Sequence, residues 1–176
     1  AIDLKGEAFL RYIYDELTYQ IAKKAEDELI AKIEACGTVS TNTATTNVAV
    51  PIVVNTGTLS TFAEAISQLS DAAADPAIIM NKQSYATFKA LQYAANYPVD
   101  IFEGMEVLFN DTIAAFSAAT TGVTYAIVGD LGVGAMANFP EGDGVSIKYD
   151  DLSLAESDLV KIVGREYVGL GVVAPK

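Results

Sequence analysis

"DLKGEAFLRYIYDELTYQIAKKAEDELIAKIEAC", Asp3 to Cys36, reads as one uninterrupted helix. Apolar or small residues recur at Phe9, Ile13, Leu17, Ile21, Ala25, Leu29 and Ile33, each four after the last. That spacing drifts against a turn of about 3.6 residues, so the stripe winds slowly around the axis. Leu10, Tyr14, Ala22 and Ile30 broaden it. Opposite charges four apart, Glu7 with Arg11, Lys23 with Asp27, Lys24 with Glu28 and Glu28 with Lys32, suit an exposed side. Gly37 is a natural stop. At roughly 1.5 Å per residue the helix is about 50 Å long, more than the diameter of a small domain. It must project beyond one core or lie across it. A coiled-coil segment is the plain alternative, but no clean apolar heptad survives more than two repeats.

The 176 residues suit one domain, or two small lobes sharing a core. With 51% apolar and 19% charged residues the composition is that of a folded chain. The net charge of −12 argues against a general nucleic-acid binder, which needs clustered Lys and Arg. There is no histidine, so Ser-His-Asp and Cys-His catalysis and the usual His-ligated zinc sites are excluded. Cys36 is the single cysteine, which rules out an internal disulfide and a thiolate metal cluster. Carboxylate or lysine chemistry stays open. No run of about 18 uncharged apolar residues predicts a membrane span. The mixed start, AIDLKGEAF, is not a signal peptide, and it opens inside a periodic pattern, so further residues are expected upstream.

Beyond the helix, the Thr-, Ser- and Asn-rich residues 38 to 58 read as loop, with a short strand at Val48 to Val54. TFAEAISQLS predicts a helix in which Thr61 and Glu64 fit a capping box and Phe62, Ile66 and Leu69 form the buried stripe. Ala77 to Met80 is a short, fully buried strand. Lys82 to Tyr93 is a helix with Tyr85, Phe88 and Leu91 on one face. A turn and strand follow in GMEVLFNDTI, then a strand from Val123 to Asp130 ending in Gly-Asp. VGAMANF and VSIKYDD give two more strands, separated by the turn EGDG. Val160 to Val173, VKIVGREYVGLGVV, reads as the last strand. The fold class expected is α+β, with one very long helix and a central sheet.

Three features carry candidate chemistry. Gly132-Val133-Gly134 follows a strand, but Asn138, Phe139 and Pro140 do not open the helix that a dinucleotide loop requires, so a strand-turn-strand is expected and no cofactor. EGDGVSIKYDDLSLAESD is rich in carboxylates, yet Asp143, Asp150 and Asp151 miss the spacing of a calcium loop, and a solvated acidic turn is the simpler reading. No carboxylate pair is singled out for glycoside hydrolysis. Arg165 and Glu166, neighbours in the last strand, should point to opposite faces. Either they blunt an edge strand or they meet neighbouring copies of the chain, which makes both of them candidates for an assembly interface.

The order of motifs then carries a resemblance. A long helix ending in Gly precedes TFAEAISQL, DPAIIMNKQSYATFKAL, FEGMEVLFNDTI, YAIVGDLGVGAMA and DLVKIVGREYVGLGVVAPK. This series resembles the major capsid proteins of tailed bacteriophages, the HK ninety-seven-like fold, over essentially the whole chain. IIMNKQSYATFKAL is similar to a recurring Met-Asn, turn and helix passage, IVGDLG to a strand ending in Gly-Asp, and GREYVGLGVVAP to a charged strand before an apolar tail. The resemblance implies a long spine helix and a return strand in a peripheral domain, residues 1–37 and 155–168, and an axial domain around a central sheet, residues 38–154 and 169–176. It implies a non-enzymatic structural subunit of an icosahedral phage or prophage head, made in the bacterial cytoplasm. Such a subunit assembles with itself into pentamers and hexamers and works with scaffold and portal proteins, without membrane or sequence-specific nucleic-acid partners. The N-terminal arm and extended loop of that family are absent from this sequence, as expected of a processed or truncated chain. Where one family member cross-links a Lys to an Asn, the nearest position here is Asp158, so no cross-linking is expected. The alternatives are an encapsulin-type nanocompartment shell, and a monomeric small-ligand or carbohydrate-binding domain or carboxylate hydrolase built on the α/β part.

Overall fold

The computed structural model describes residues 2–36, 49–53, 57–71, 73–116, 123–140, 145–150 and 161–172. Gly37, Asp143, Asp151 and Asp158 lie outside them. The chain divides into two compact units, Ala1–Glu28 with Ala137–Leu170, and Leu29–Met136 with Gly171–Lys176. The elements follow a mixed α+β order. Helix α1 (Ile2–Cys36) is followed by β1 (Ala49–Val53), α2 (Thr61–Ile66), β2 (Ala77–Met80), α3 (Lys82–Ala94), β3 (Glu106–Phe109) and β4 (Thr124–Gly129). A single turn α4 (Leu131–Gly134), β5 (Ala135–Asn138), β6 (Ser146–Asp150), β7 (Lys161–Arg165) and β8 (Gly169–Val172) complete it. The long helix, the buried strand at residues 77–80 and the strand ending in Gly-Asp stand as the sequence predicts.

The larger unit is built on a four-stranded sheet in the order β1-β4-β2-β3. β4 pairs antiparallel with both β1 and β2, and β2 pairs parallel with β3 across the α3 crossover. Parallel neighbours need such a crossover, which is why a helix separates two four-residue strands. Alternate residues of β2 and β4 serve two cores. Ile78, Met80, Ala126 and Val128 pack with Phe62, Ala65, Phe88, Ile101 and Phe102. Ile79 and Ile127 pack with Ile30 and Ile33 from the end of α1 and with Ile113. A sheet covered on both faces has no polar alternation, which explains the unbroken apolar runs AIIM and YAIV. The first core is aromatic: Phe62 meets Phe88 and Phe102 edge-on at 5.0 and 5.1 Å, and Phe88 stacks near Tyr125 at 5.5 Å.

Polar groups pin the connections. Asn81 caps α3 from an extended conformation, its Oδ1 accepting from Gln83 N at 2.9 Å. Ser84, fully buried, accepts from Phe116 N at 2.7 Å. Asp130, 6% exposed, accepts from Ala74 N and Asp75 N at 3.1 and 3.4 Å, tying the end of β4 to the approach to β2. Glu103 and Gly104 take positive φ values of 53° and 74° in the turn before β3, where glycine is at ease and glutamate is strained. Lys89 bonds Asp100 at 2.6 Å beside the Phe102 ring, and this bond holds the Asp100 carboxyl below its usual range.

Three local expectations are corrected. The Thr61–Glu64 capping box does not form. Ser60 occupies the cap with helical angles (φ −92°, ψ −3°), and its hydroxyl donates to Glu64 Oε1 at 2.7 Å, while Thr61 Oγ1 accepts from Thr58 N at 2.9 Å. The buried face of α3 is Ser84 and Phe88 with Tyr85 half-buried; Leu91 is exposed. The C-terminal half of that face is taken over by Gln92, whose Nε2 donates to Val99 O at 2.6 Å and so covers the following loop. Ile66 is likewise half-buried, and Ala65 takes its place in the core.

Ile127→Ala removes a side chain fully inside the all-isoleucine core. It should cost about 2–5 kcal/mol, read as a lowered midpoint in urea unfolding. Burial pushes the Tyr125 hydroxyl from 10.0 up to about 12. The folded state holds the proton more tightly than the unfolded chain, so this contribution is intact below pH about 10 and is lost as pH rises towards 12. A stability–pH series on Tyr125→Phe should lose that alkaline slope.

Candidate functional site

Arg165 and Glu166 belong to the smaller unit. There β6 and β7 form an antiparallel pair whose register runs from Asp150 opposite Lys161 to Ser146 opposite Arg165. The ladder ends at Arg165. The expected single strand over Val160–Val173 is therefore two strands, β7 and β8, separated by Glu166–Val168. Arg165 is the last, exposed residue of β7, and Glu166 lies beyond it, half-buried. They are not opposite-facing neighbours within one strand. The physical reason is a change of partner: β7 pairs with β6, whereas β8 pairs with β5, and the intervening residues belong to neither ladder.

Gly164 sets the position of both charges. A Cβ there would lie 3.3 Å from Ile21 Cδ1, 3.5 Å from Val145 Cγ1 and 3.6 Å from Leu17 Cδ1. The missing side chain lets the β7 backbone approach α1 closely. Where the chain leaves this contact, a groove of about 550 Å³ opens between the helix, at Ile21, Lys24, Ala25 and Glu28, and the segment Gly164–Val168. Its floor is apolar and its rim carries two cations, Lys24 and Arg165, and two acids, Glu28 and Glu166. Lys24 Nζ stands 3.9 Å from Glu28 Oε1, and both side chains are more than half exposed. Such a pair contributes little to stability and is free to exchange for an outside partner.

The structure thus brings Arg165 and Glu166 together with a helix pair that sequence reading treats only as mutual support on an exposed face. Lys24 and Glu28 were legible as an (i, i+4) pair; that they share a groove with the return strand was not, because only a tertiary contact at Gly164 joins the two. Gly132-Val133-Gly134 forms one helical turn, with Gly134 N donating to Asp130 O at 2.8 Å, and runs directly into β5. A phosphate-binding loop needs a following helix, which this turn lacks. Among the described residues no group of three or more acidic, Cys or His side chains is placed to hold a metal ion. None of their helices is long and apolar enough to cross a membrane.

Gly164→Val should overpack the β7–α1 contact and cost roughly 1–3 kcal/mol, measured by chemical denaturation. Gly164→Ala, whose Cβ meets only flexible side-chain ends, should cost less. No protein-family model, curated protein or solved structure matches the chain.

Proposed function

We propose that this chain is a structural subunit of a closed protein shell, the icosahedral head of a tailed phage or prophage, built from pentamers and hexamers of itself. The observation that carries this reading is the open groove at Arg165 and Glu166, an apolar floor with charges of both signs at its rim. A surface of that kind suits a charged segment of a neighbouring subunit, since complementary rims set register between copies. The order of elements supports it too: a helix of 35 residues, an α/β part around a short sheet, and a late strand returning to the helix. In this reading residues 1–37 and 155–168 are peripheral-domain-like and the remainder axial-domain-like. The net charge of −12 suits an inner surface that leaves packaged DNA free.

An encapsulin-type shell shares the same architecture and is distinguished by its contents. A small-ligand-binding domain draws on the groove's size, which falls in the range of about 300–1,000 Å³ typical of ligand sites.

Electron microscopy and light scattering of the product of the complete gene test the proposal. Rings of five or six subunits or closed particles are the expected result. A product that stays monomeric and takes a small ligand into the groove overturns it. Arg165→Glu should lower particle yield several-fold while leaving unfolding stability within about 0.5 kcal/mol, as for an exposed surface residue. Unchanged yield would remove Arg165 from the interface.

A further inference from the structure

A second surface lies on the other side of α1. Phe9, Tyr12, Glu16, Tyr19, Lys23 and Glu26 are spaced alternately three and four apart, the a and d positions of a heptad. The same series continues into Ile30 and Ile33, which are buried in the core of the larger unit. One stripe is therefore core at one end of the helix, while towards the other Phe9, Tyr12, Glu16 and Tyr19 are exposed and Lys23 is half-buried. Phe9, Tyr12 and Tyr19 are 61, 65 and 61% exposed. Among the described residues, the contact of β7 with the helix is on the opposite flank, where Leu17 and Ile21 meet Gly164. Aromatic rings left in water at heptad spacing are what a helix partner would cover.

We propose that α1 pairs with α1 of a second copy of this chain, antiparallel about a two-fold axis, through this stripe. The charges choose both direction and register. In an antiparallel pair each a position faces a d position. With Phe9 opposite Glu26 of the second copy, Tyr12 falls opposite Lys23 and Glu16 opposite Tyr19, and every layer occurs twice by symmetry. Lys23 then lies against a tyrosine ring as a cation–π contact. Glu16, oriented by Gln20 Nε2 at 2.8 Å from its Oε1, meets a tyrosine hydroxyl. Sliding one heptad in one direction sets Glu16 against Glu26; sliding the other way sets position 23 against position 5, both lysines. A parallel pair stacks Glu16 on Glu16 and Lys23 on Lys23. Of these arrangements only the first sets no two like charges against each other. The six rings, with the stems of Glu16, Lys23 and Glu26, bring on the order of 1,000 Å² to the contact, the area a specific interface needs.

The pairing does not depend on the shell reading. Sedimentation velocity on the full chain, up to about 100 µM so that micromolar association registers, should show a dimer. Tyr12→Glu/Tyr19→Glu should give a monomer with unchanged far-ultraviolet circular dichroism. Lys23→Glu should weaken the dimer about tenfold or more, and adding Tyr12→Lys should restore it by recreating an opposite-charge layer. A monomeric wild type, a dimer indifferent to Tyr12→Glu/Tyr19→Glu, or failure of the rescue overturns the proposal. Rings or particles from a chain that shows no dimer sensitive to Tyr12→Glu/Tyr19→Glu overturn the helix pairing and leave the shell reading standing. A dimer that dissociates in that variant, from a chain that never forms rings, does the reverse.

Discussion

The larger unit depends on one contact, the last two turns of α1 lying on the sheet. Ile30 and Ile33 press on Ile79, Ile113 and Ile127, all five nearly or fully out of water. Each is worth roughly 1.5–3 kcal/mol when fully buried. Without the helix, one face of a four-stranded sheet of short strands would stand bare. With it, β2 and β4 become true interior strands, and the aromatic core on the other face has a rigid floor. β-branched isoleucine suits this junction because its stiff side chain packs well on a pleated surface.

Polar groups inside the unit serve the same geometry. Among the described residues Asp130, Asn110 and Ser84 are its buried polar side chains, and Asp130 and Ser84 hold backbone amides of neighbouring segments. Asn110 accepts from Thr112 N at 2.7 Å and closes the turn after β3. Among the described residues no buried side-chain oxygen or nitrogen lacks a hydrogen-bond partner. Leaving such groups unsatisfied is costly, so these bonds hold in place the segments they join.

Much of this was legible in the sequence, for reasons that also explain the failures. α1 was readable because a periodic stripe over many turns outweighs any local ambiguity. β2 and β4 were readable as short apolar runs bounded by turn residues. Asn81 as a cap was not singled out, although Met-Asn before a helix is a signal of that kind. The box at Thr61 and Glu64 matched a motif but not the geometry, since the helix begins from a residue already in helical angles. Val160–Val173 was misread as one strand because strand propensity cannot show which neighbour a residue pairs with; the break at Glu166–Val168 comes from two different partners. The groove was the least visible feature. It joins residues more than a hundred positions apart, and its only local trace is Gly164.

The position of β4 has a consequence for how the chain comes to be ordered in time. β2, α3 and β3 are contiguous and can form a parallel unit by closing one short crossover. β4 then has to enter between β2 and β1, with Gly129 aligned to both Ala77 and Ala49. The later of these two ladders closes the longer stretch of chain, and loop entropy makes such a step late and slow. The strand that closes it is also irregular: β1 carries Pro51 and a register shift between Ile52 and Val53. Changes within the crossover unit should therefore alter mainly how fast the chain folds, and changes in β1 mainly how fast it comes apart.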